Sequence, residues 1–382
     1  MSDPLQVLLD AGVKEGAFPS AQAVVLHRGA EVFSGTAGPV DAATPFDLAS
    51  LTKVMCTTAL FLRGWGQGRV GPSTPLSRLF PGTPAAEAGV TLADLLYHRS
   101  GLPAWLPYFA RVMPAVPELF DAATPRATWE EVRAEVRKAV LACGLRRPRG
   151  TEAVYSDVGF LQLGFALEVL LGAPLDALFA EQVAGPLGLS STFRRITAQL
   201  RGDQLPQTGG TRPREPAPGQ ETMWTPFPVR SSRPGEVDDD NAWVLDGVAA
   251  HAGLFGPAED VARFGQMLLE ELAGAGRIAP APLWAMALAR DGQVPGSSRA
   301  LGFDTPAPPA SAGTFIGNLA PGAVGHTGFT GTSLWVDLGR QLVVALTTNR
   351  TAHGRGNLAL RDFRPRFHDA VVRALSLESP SP

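Results

Sequence analysis

Charge is the first thing this sequence is short of. Asp, Glu, Lys and Arg make up 18% of its 382 residues, below the usual quarter. The formal net charge is −3 and both signs are mixed along the chain, so there is no basic footprint for nucleic acid or an anionic membrane surface. Cysteine is nearly absent. Cys56 and Cys143 form no C-x-x-C pair and stand near no histidine cluster, so they read as buried apolar residues of a reducing compartment. No run of 18 apolar residues is present to span a membrane. The stretch from Met1 to Asp10 has neither the basic head nor the apolar core of a secretion signal, and a cytoplasmic protein is expected. H-E-x-x-H and H-x-H are missing, and no Asp, Glu and His residues cluster at ligand spacing, so neither a metal nor another cofactor is expected. The lack of G-x-S-x-G removes the nucleophile elbow of the α/β-hydrolases, and the lack of G-x-x-x-x-G-K-[ST] removes the phosphate loop.

What is plentiful is apolar and turn-forming. Hydrophobic residues reach 45%, with 42 Gly and 34 Pro, which describes a soluble globular chain with many turns and irregular connections. Residues 4–15 repeat Leu5, Leu8, Leu9 and Val13 on one helical face. Strand patterns follow at Ala21–His27 and Glu31–Gly35, and a second hairpin pairs Ser333–Val336 with Leu342–Thr347. Arg361–Leu375 reads as a closing helix, and Glu131–Leu141, Gly159–Leu171 and Glu259–Leu272 as helices of the middle. Both ends thus supply strands and a helix. The expected class is α/β (α+β), an antiparallel sheet of N- and C-terminal strands flanked by helices, with a mostly helical second lobe. Residues 1–70 and 300–382 form the sheet lobe of this reading, and 71–299 the helical lobe with a long irregular loop at 201–241.

Three short elements carry chemistry. From Leu51 to Leu62 the chain is apolar on almost every side and Lys53 is its only charge, the pattern of a buried helix. Ser50 lies three residues before Lys53, so the two share a face. Asp47 as N-cap would place Ser50 in the first turn, near free N–H groups. A lysine in low dielectric has its pKa pushed down and can take the serine proton; a capping serine beside a snorkelling lysine is the plain alternative. The second element is Tyr155-Ser156-Asp157, where a phenol near the lysine could act as base, or a half-buried tyrosine could precede a capping aspartate. The third is Gly325-His326-Thr327-Gly328-Phe329-Thr330-Gly331, whose glycines mark close approach of a backbone or a ligand. His98 and His251, in glycine-containing turns, read as structural.

In this order the elements resemble the serine β-lactamase and penicillin-binding-protein family, in particular its class C β-lactamase, DD-peptidase and esterase branch. The stretches Leu95–Pro103 and Ala249–Phe255 are similar to that branch as well, and the likeness runs from about Gln22 to Asn349. The resemblance implies that Ser50 is acylated, that Lys53 assists proton transfer and that Tyr155 is the general base. It implies an oxyanion hole from the backbone N–H groups of Ser50 and Phe329, with His326, Thr327 and Gly328 in the Lys-Thr-Gly positions. Two residues depart from it: Asp157 stands where the β-lactamases have Asn, and His326 replaces Lys. The expected activity is therefore an esterase or amidase acting on a small-molecule ester, amide or lactam. A β-lactamase or D-amino-acid peptidase is the alternative within the class, and a binding module with a relic site the alternative outside it.

Overall fold

The computed structural model describes residues 3–112, 126–198, 211–212, 230–307 and 311–378. Asp3 opens the first helix: its Oδ1 accepts the Leu5 N–H at 2.8 Å, and Pro4 has no N–H to satisfy. Helix α1 spans Pro4–Lys14 and buries Leu5 and Leu9. Strands β1 (Ala21–His27) and β2 (Ala30–Ala37) form a hairpin whose turn places Arg28 and Gly29 at φ of 52° and 79°. A continuous helical run, α2, covers residues 51–66 and carries a wide π turn at Lys53–Thr58. Helices α3 (Arg126–Leu141), α4 (Asp157–Leu171) and α5 (Ala258–Leu272) follow. Strands β3 (Ala323–Thr327), β4 (Ser333–Asp337) and β5 (Leu342–Thr348) lead to α6 (Leu360–Ala374).

These five strands join in one antiparallel sheet, in the order β2-β1-β5-β4-β3. The first and last hairpins meet along β1 and β5, where Ala21 faces Thr348 and His27 faces Leu342. The two-residue period of the strands divides the apolar side chains between two cores. Val25, Trp335, Val344 and Leu346 pack outward with α1 and α6, while Val24, Val336, Val343 and Ala345 pack inward with α2, α4 and α5. The antiparallel sheet and its flanking helices are as the sequence implied. Strand β3 was not separable from the glycine-rich turn that follows it.

Most of the loop expected at 201–241 lies outside the described residues. Among the described residues of this stretch, Arg230–Ser231 pairs with Thr211–Arg212, and Asp240–Val244 is helical. Cys56 is buried and Cys143 half-buried, and neither is in a disulfide. Among the described residues no single helix is long and apolar enough to cross a membrane.

Candidate active site

The turn that carries Ser50 is tight. Leu51, Thr52 and Lys53 donate backbone hydrogen bonds three residues back, to Leu48, Ala49 and Ser50, and Ala49 is held at a φ of 47°. A left-handed alanine is costly, so the surroundings must hold it. Asp47 accepts the Ala49 N–H at 2.8 Å and, on its other oxygen, the Asp238 N–H at 2.7 Å. It therefore braces the turn before α2 and does not cap the helix as its position had suggested. Burial, with the nearby Asp238 charge, pushes Asp47 up to about 7 against these two donors. From the C-terminal side, Thr330 Oγ1 donates to the Asp47 carbonyl at 2.7 Å and Thr332 Oγ1 to the Leu48 carbonyl at 3.0 Å. Gly328 is required in this contact, since a Cβ there would lie 2.8 Å from the Leu48 carbonyl oxygen.

Ser50 Oγ accepts hydrogen bonds from Lys53 Nζ at 3.0 Å and from the Tyr155 hydroxyl at 2.8 Å. Among the described residues the Ser50 N–H has no hydrogen-bond partner. Lys53 is fully buried; its Nζ also donates to the His251 carbonyl at 2.9 Å and forms an ion pair with Asp157 Oδ1 at 2.7 Å. Burial disfavours the Lys53 ammonium, yet the Asp157 carboxylate and Tyr155 outweigh it, and the pKa lies above the ordinary value. The lowered lysine expected from the apolar helix is thus overturned, because the counter-ion comes from another element that helical periodicity does not reveal. The Tyr155 phenol is also raised, by burial first, with Lys53 opposing and Asp157 adding to the rise.

Tyr155 is positioned from several sides. The His98 carbonyl accepts the Val154 N–H at 2.8 Å, and His98 Nδ1 accepts the Ser156 N–H at 3.0 Å. The imidazole centroid lies 4.7 Å from that of the phenol ring, the two rings tilted by 44°, and His98 reaches this geometry at a φ of 57°. Ser156, not Asp157, caps α4: its Oγ accepts the Gly159 N–H at 2.9 Å. This leaves Asp157 in the first turn, free to reach Lys53. Arg299 lies 5.2 Å above the Tyr155 ring and pairs with Asp304 at 3.2 Å. Asp304 exchanges backbone hydrogen bonds with Gly325, which sets Arg299 beside the open edge of β3. His326, next along β3, is held near pKa 3 by burial and by the Lys53 and Arg299 charges. Its Nδ1 lies 2.9 Å from the Thr327 carbonyl, which assigns the proton to that nitrogen of a neutral ring.

These groups open onto a cavity of about 500 Å³ lined by Ser50, Trp105, Tyr155, Asp157, Arg299 and His326 among others. Thr327, Gly328 and Phe329 line the same space, so residues of all three motifs meet at one cavity, with Lys53 buried behind Ser50. Phe329 is 41% exposed, forms a lip of the cavity, and has the Arg350 guanidinium 4.6 Å from its ring. Sequence reasoning missed Arg299 and Trp105, which stand in no motif, while His98 has the structural role expected of it, holding the segment around Tyr155.

The sequence matches the family model described as Beta-lactamase over residues 5–364. It is 26% identical over 329 residues to an Escherichia coli (strain K12) protein that carries the provisional name D-alanyl-D-alanine carboxypeptidase, covering 82% of this chain and 71% of that one. It is 28% identical over 325 residues to N-acetylmuramyl-L-alanine amidase of Bacillus subtilis (strain 168), covering 80% and 68%. Its fold is similar to that of the octameric penicillin-binding protein homologue from Pyrococcus abyssi, with a TM-score of 0.68, 19% identity, and 97% and 77% of the two chains covered.

Proposed function

The chain belongs to the Beta-lactamase family, and from that premise we propose that it is a serine hydrolase forming an acyl-enzyme on Ser50 from a small ester or amide. The observation that carries this reading is the pair of contacts on Ser50 Oγ, 3.0 Å from Lys53 Nζ and 2.8 Å from the Tyr155 hydroxyl, at the wall of a substrate-sized cavity. Lys53, kept as an ammonium by Asp157, is not the proton acceptor. It is a fixed charge that lessens the cost of a Tyr155 phenolate. In that form Tyr155 takes the Ser50 proton while Oγ bonds to the substrate carbonyl carbon. The carbonyl oxygen becomes an oxyanion facing the backbone N–H groups of Ser50 and Phe329. The bond to the leaving group then breaks, and Tyr155 returns the proton to the departing alkoxide or amine. Water repeats the sequence: Tyr155 takes one of its protons, the hydroxide adds to the acyl carbon, and Ser50 Oγ leaves with that proton.

Preference for esters and simple amides over β-lactams is supported by the two departures at the site. Asp157 offers no amide N–H to an acylamino carbonyl, and neutral His326 offers no fixed cation to a carboxylate. The provisional carboxypeptidase name of the E. coli relative favours peptidase chemistry on D-amino acids as a second reading. The test is turnover of p-nitrophenyl acetate by wild type and Ser50→Ala, with intact mass recorded during turnover. Turnover with an acetyl adduct only in wild type supports the mechanism, and a stable penicillin adduct on Ser50 moves the assignment to the second reading. Equal inactivity of both proteins with no adduct, even from a fluorophosphonate, removes it.

A further inference from the structure

One carboxylate oxygen beside the nucleophile is uncommitted. Asp157 Oδ1 holds Lys53 at 2.7 Å, whereas Oδ2 has no hydrogen-bond partner among the described residues, and the side chain keeps 19% of its surface open at the cavity. The Asp157 N–H donates to the Ala104 carbonyl at 2.8 Å, which ties the next residue, Trp105, to the same part of the cavity wall. A carboxylate oxygen accepts and cannot donate, so a carbonyl placed against it is repelled, while an N⁺–H group gains a charge-assisted hydrogen bond. An indole alongside adds cation–π attraction for the same group.

The charge of the site points the same way. Relative to the Asn and Lys of the pattern this chain resembles, Asp157 adds one negative charge and the neutral His326 removes one positive charge. The nearby cation Arg299 is matched by Asp304 at 3.2 Å. We infer that the acyl donors are esters or amides of amino acids whose α-amino group is free and protonated, with the ammonium seated between Asp157 Oδ2 and Trp105. This inference rests on the acyl-enzyme reading of Ser50. The geometry suits it, because only one carbon separates the ammonium nitrogen from the carbonyl carbon that Ser50 attacks. Asp157 in turn stands one lysine nitrogen away from Ser50 Oγ, across contacts of 2.7 and 3.0 Å.

The test compares alanine p-nitroanilide with N-acetylalanine p-nitroanilide, in D and L forms, as a ratio of kcat/KM within each enzyme. A uniform loss of activity in a variant cancels in that ratio. For wild type at pH 7 the free-amine substrate of the preferred hand leads by about tenfold or more, the scale of one charge-assisted contact. The ratio falls towards unity or reverses in Asp157→Asn and drops in Trp105→Leu. In wild type it also declines as the pH passes about 8, where the substrate amine loses its proton. p-Nitrophenyl acetate, which carries neither group, reports the Ser50 chemistry separately. Normal Ser50-dependent turnover of that ester with a wild-type ratio at or below one, or with a ratio unmoved by Asp157→Asn, overturns the inference and leaves the acyl-enzyme reading standing. Absence of any Ser50-dependent turnover overturns both.

Discussion

Replacing Lys53 by Met separates the charge from the hydrocarbon stem that fills the core. Methionine keeps an unbranched apolar chain in the same space, but the two hydrogen bonds to Ser50 and His251 vanish and Asp157 loses its counter-ion. Removing one partner of a buried pair costs about 3–5 kcal/mol. Asp157 keeps 19% of its side chain exposed and can turn towards water, which puts the cost at the low end, about 3 kcal/mol. With an unfolding entropy of about 2.1 cal/mol/K per residue, 382 residues give about 0.8 kcal/mol/K, and Tm falls by about 4 °C. Adding Asp157→Asn to Lys53→Met removes the stranded charge and recovers about 1–2 kcal/mol of that loss. Differential scanning calorimetry of wild type, both single variants and the double variant measures the coupling. Its pH dependence has a definite sign. Because the folded pKa of Lys53 is raised, its contribution is fully present below the unfolded value of about 10.4 and is lost only as pH climbs through the higher folded value. The coupling should accordingly stay flat between pH 6 and 9. A Lys53→Met protein as stable as wild type, or a double variant less stable than Lys53→Met alone, would refute the assignment of Asp157 as the counter-ion that keeps this lysine charged.

Two more outcomes follow from the surroundings of Tyr155. Its phenol is raised above the ordinary value near 10, so acylation by p-nitrophenyl acetate, corrected for the Ser50→Ala rate, should keep climbing with pH through 9 with a logarithmic slope approaching one; a plateau below pH 8 argues for a different base. His98→Asn retains an acceptor near the position of Nδ1 and tolerates the positive φ, whereas His98→Phe keeps a ring against Tyr155 but leaves the buried Ser156 N–H unpaired at a cost of about 1–3 kcal/mol. Thermal unfolding should then rank the phenylalanine variant below the asparagine variant, and equal melting temperatures would deny His98 its role as acceptor.

The sheet was legible because both ends carry short apolar, β-branched runs bounded by turn residues, as strands buried on both faces do. Helix α2 was legible because it is apolar all round. What periodicity could not supply was the charge state of Lys53. That depends on Asp157, more than a hundred positions away and brought near by the packing of α4 on α2. Asp47 misled for a related reason, since a residue two before Ala49 suits an N-cap and also suits a brace for a left-handed turn. Arg299 had no signal at all: it gains its place through the backbone pairing of Asp304 with Gly325, and an isolated arginine in a Pro/Gly-rich stretch resembles any solvated one. The mutual arrangement of Ser50, Tyr155 and His326 came from the order of the motifs. The electrostatics came only from the fold.

The two threonines that grip the Ser50 turn, Thr330 and Thr332, stand more than 270 positions after it. Strand β1 likewise completes its hydrogen bonds only against β5. A chain growing from its N-terminus therefore makes Ser50 early and the clamp that holds its turn late. Until residues near 350 have been synthesised and released, the left-handed Ala49 has the Asp47 brace but not the two threonine contacts that clamp the turn from the other side. The Ser50 turn thus reaches its final form only once the C-terminal strands are in place, and an N-terminal fragment would carry the motif without its clamp.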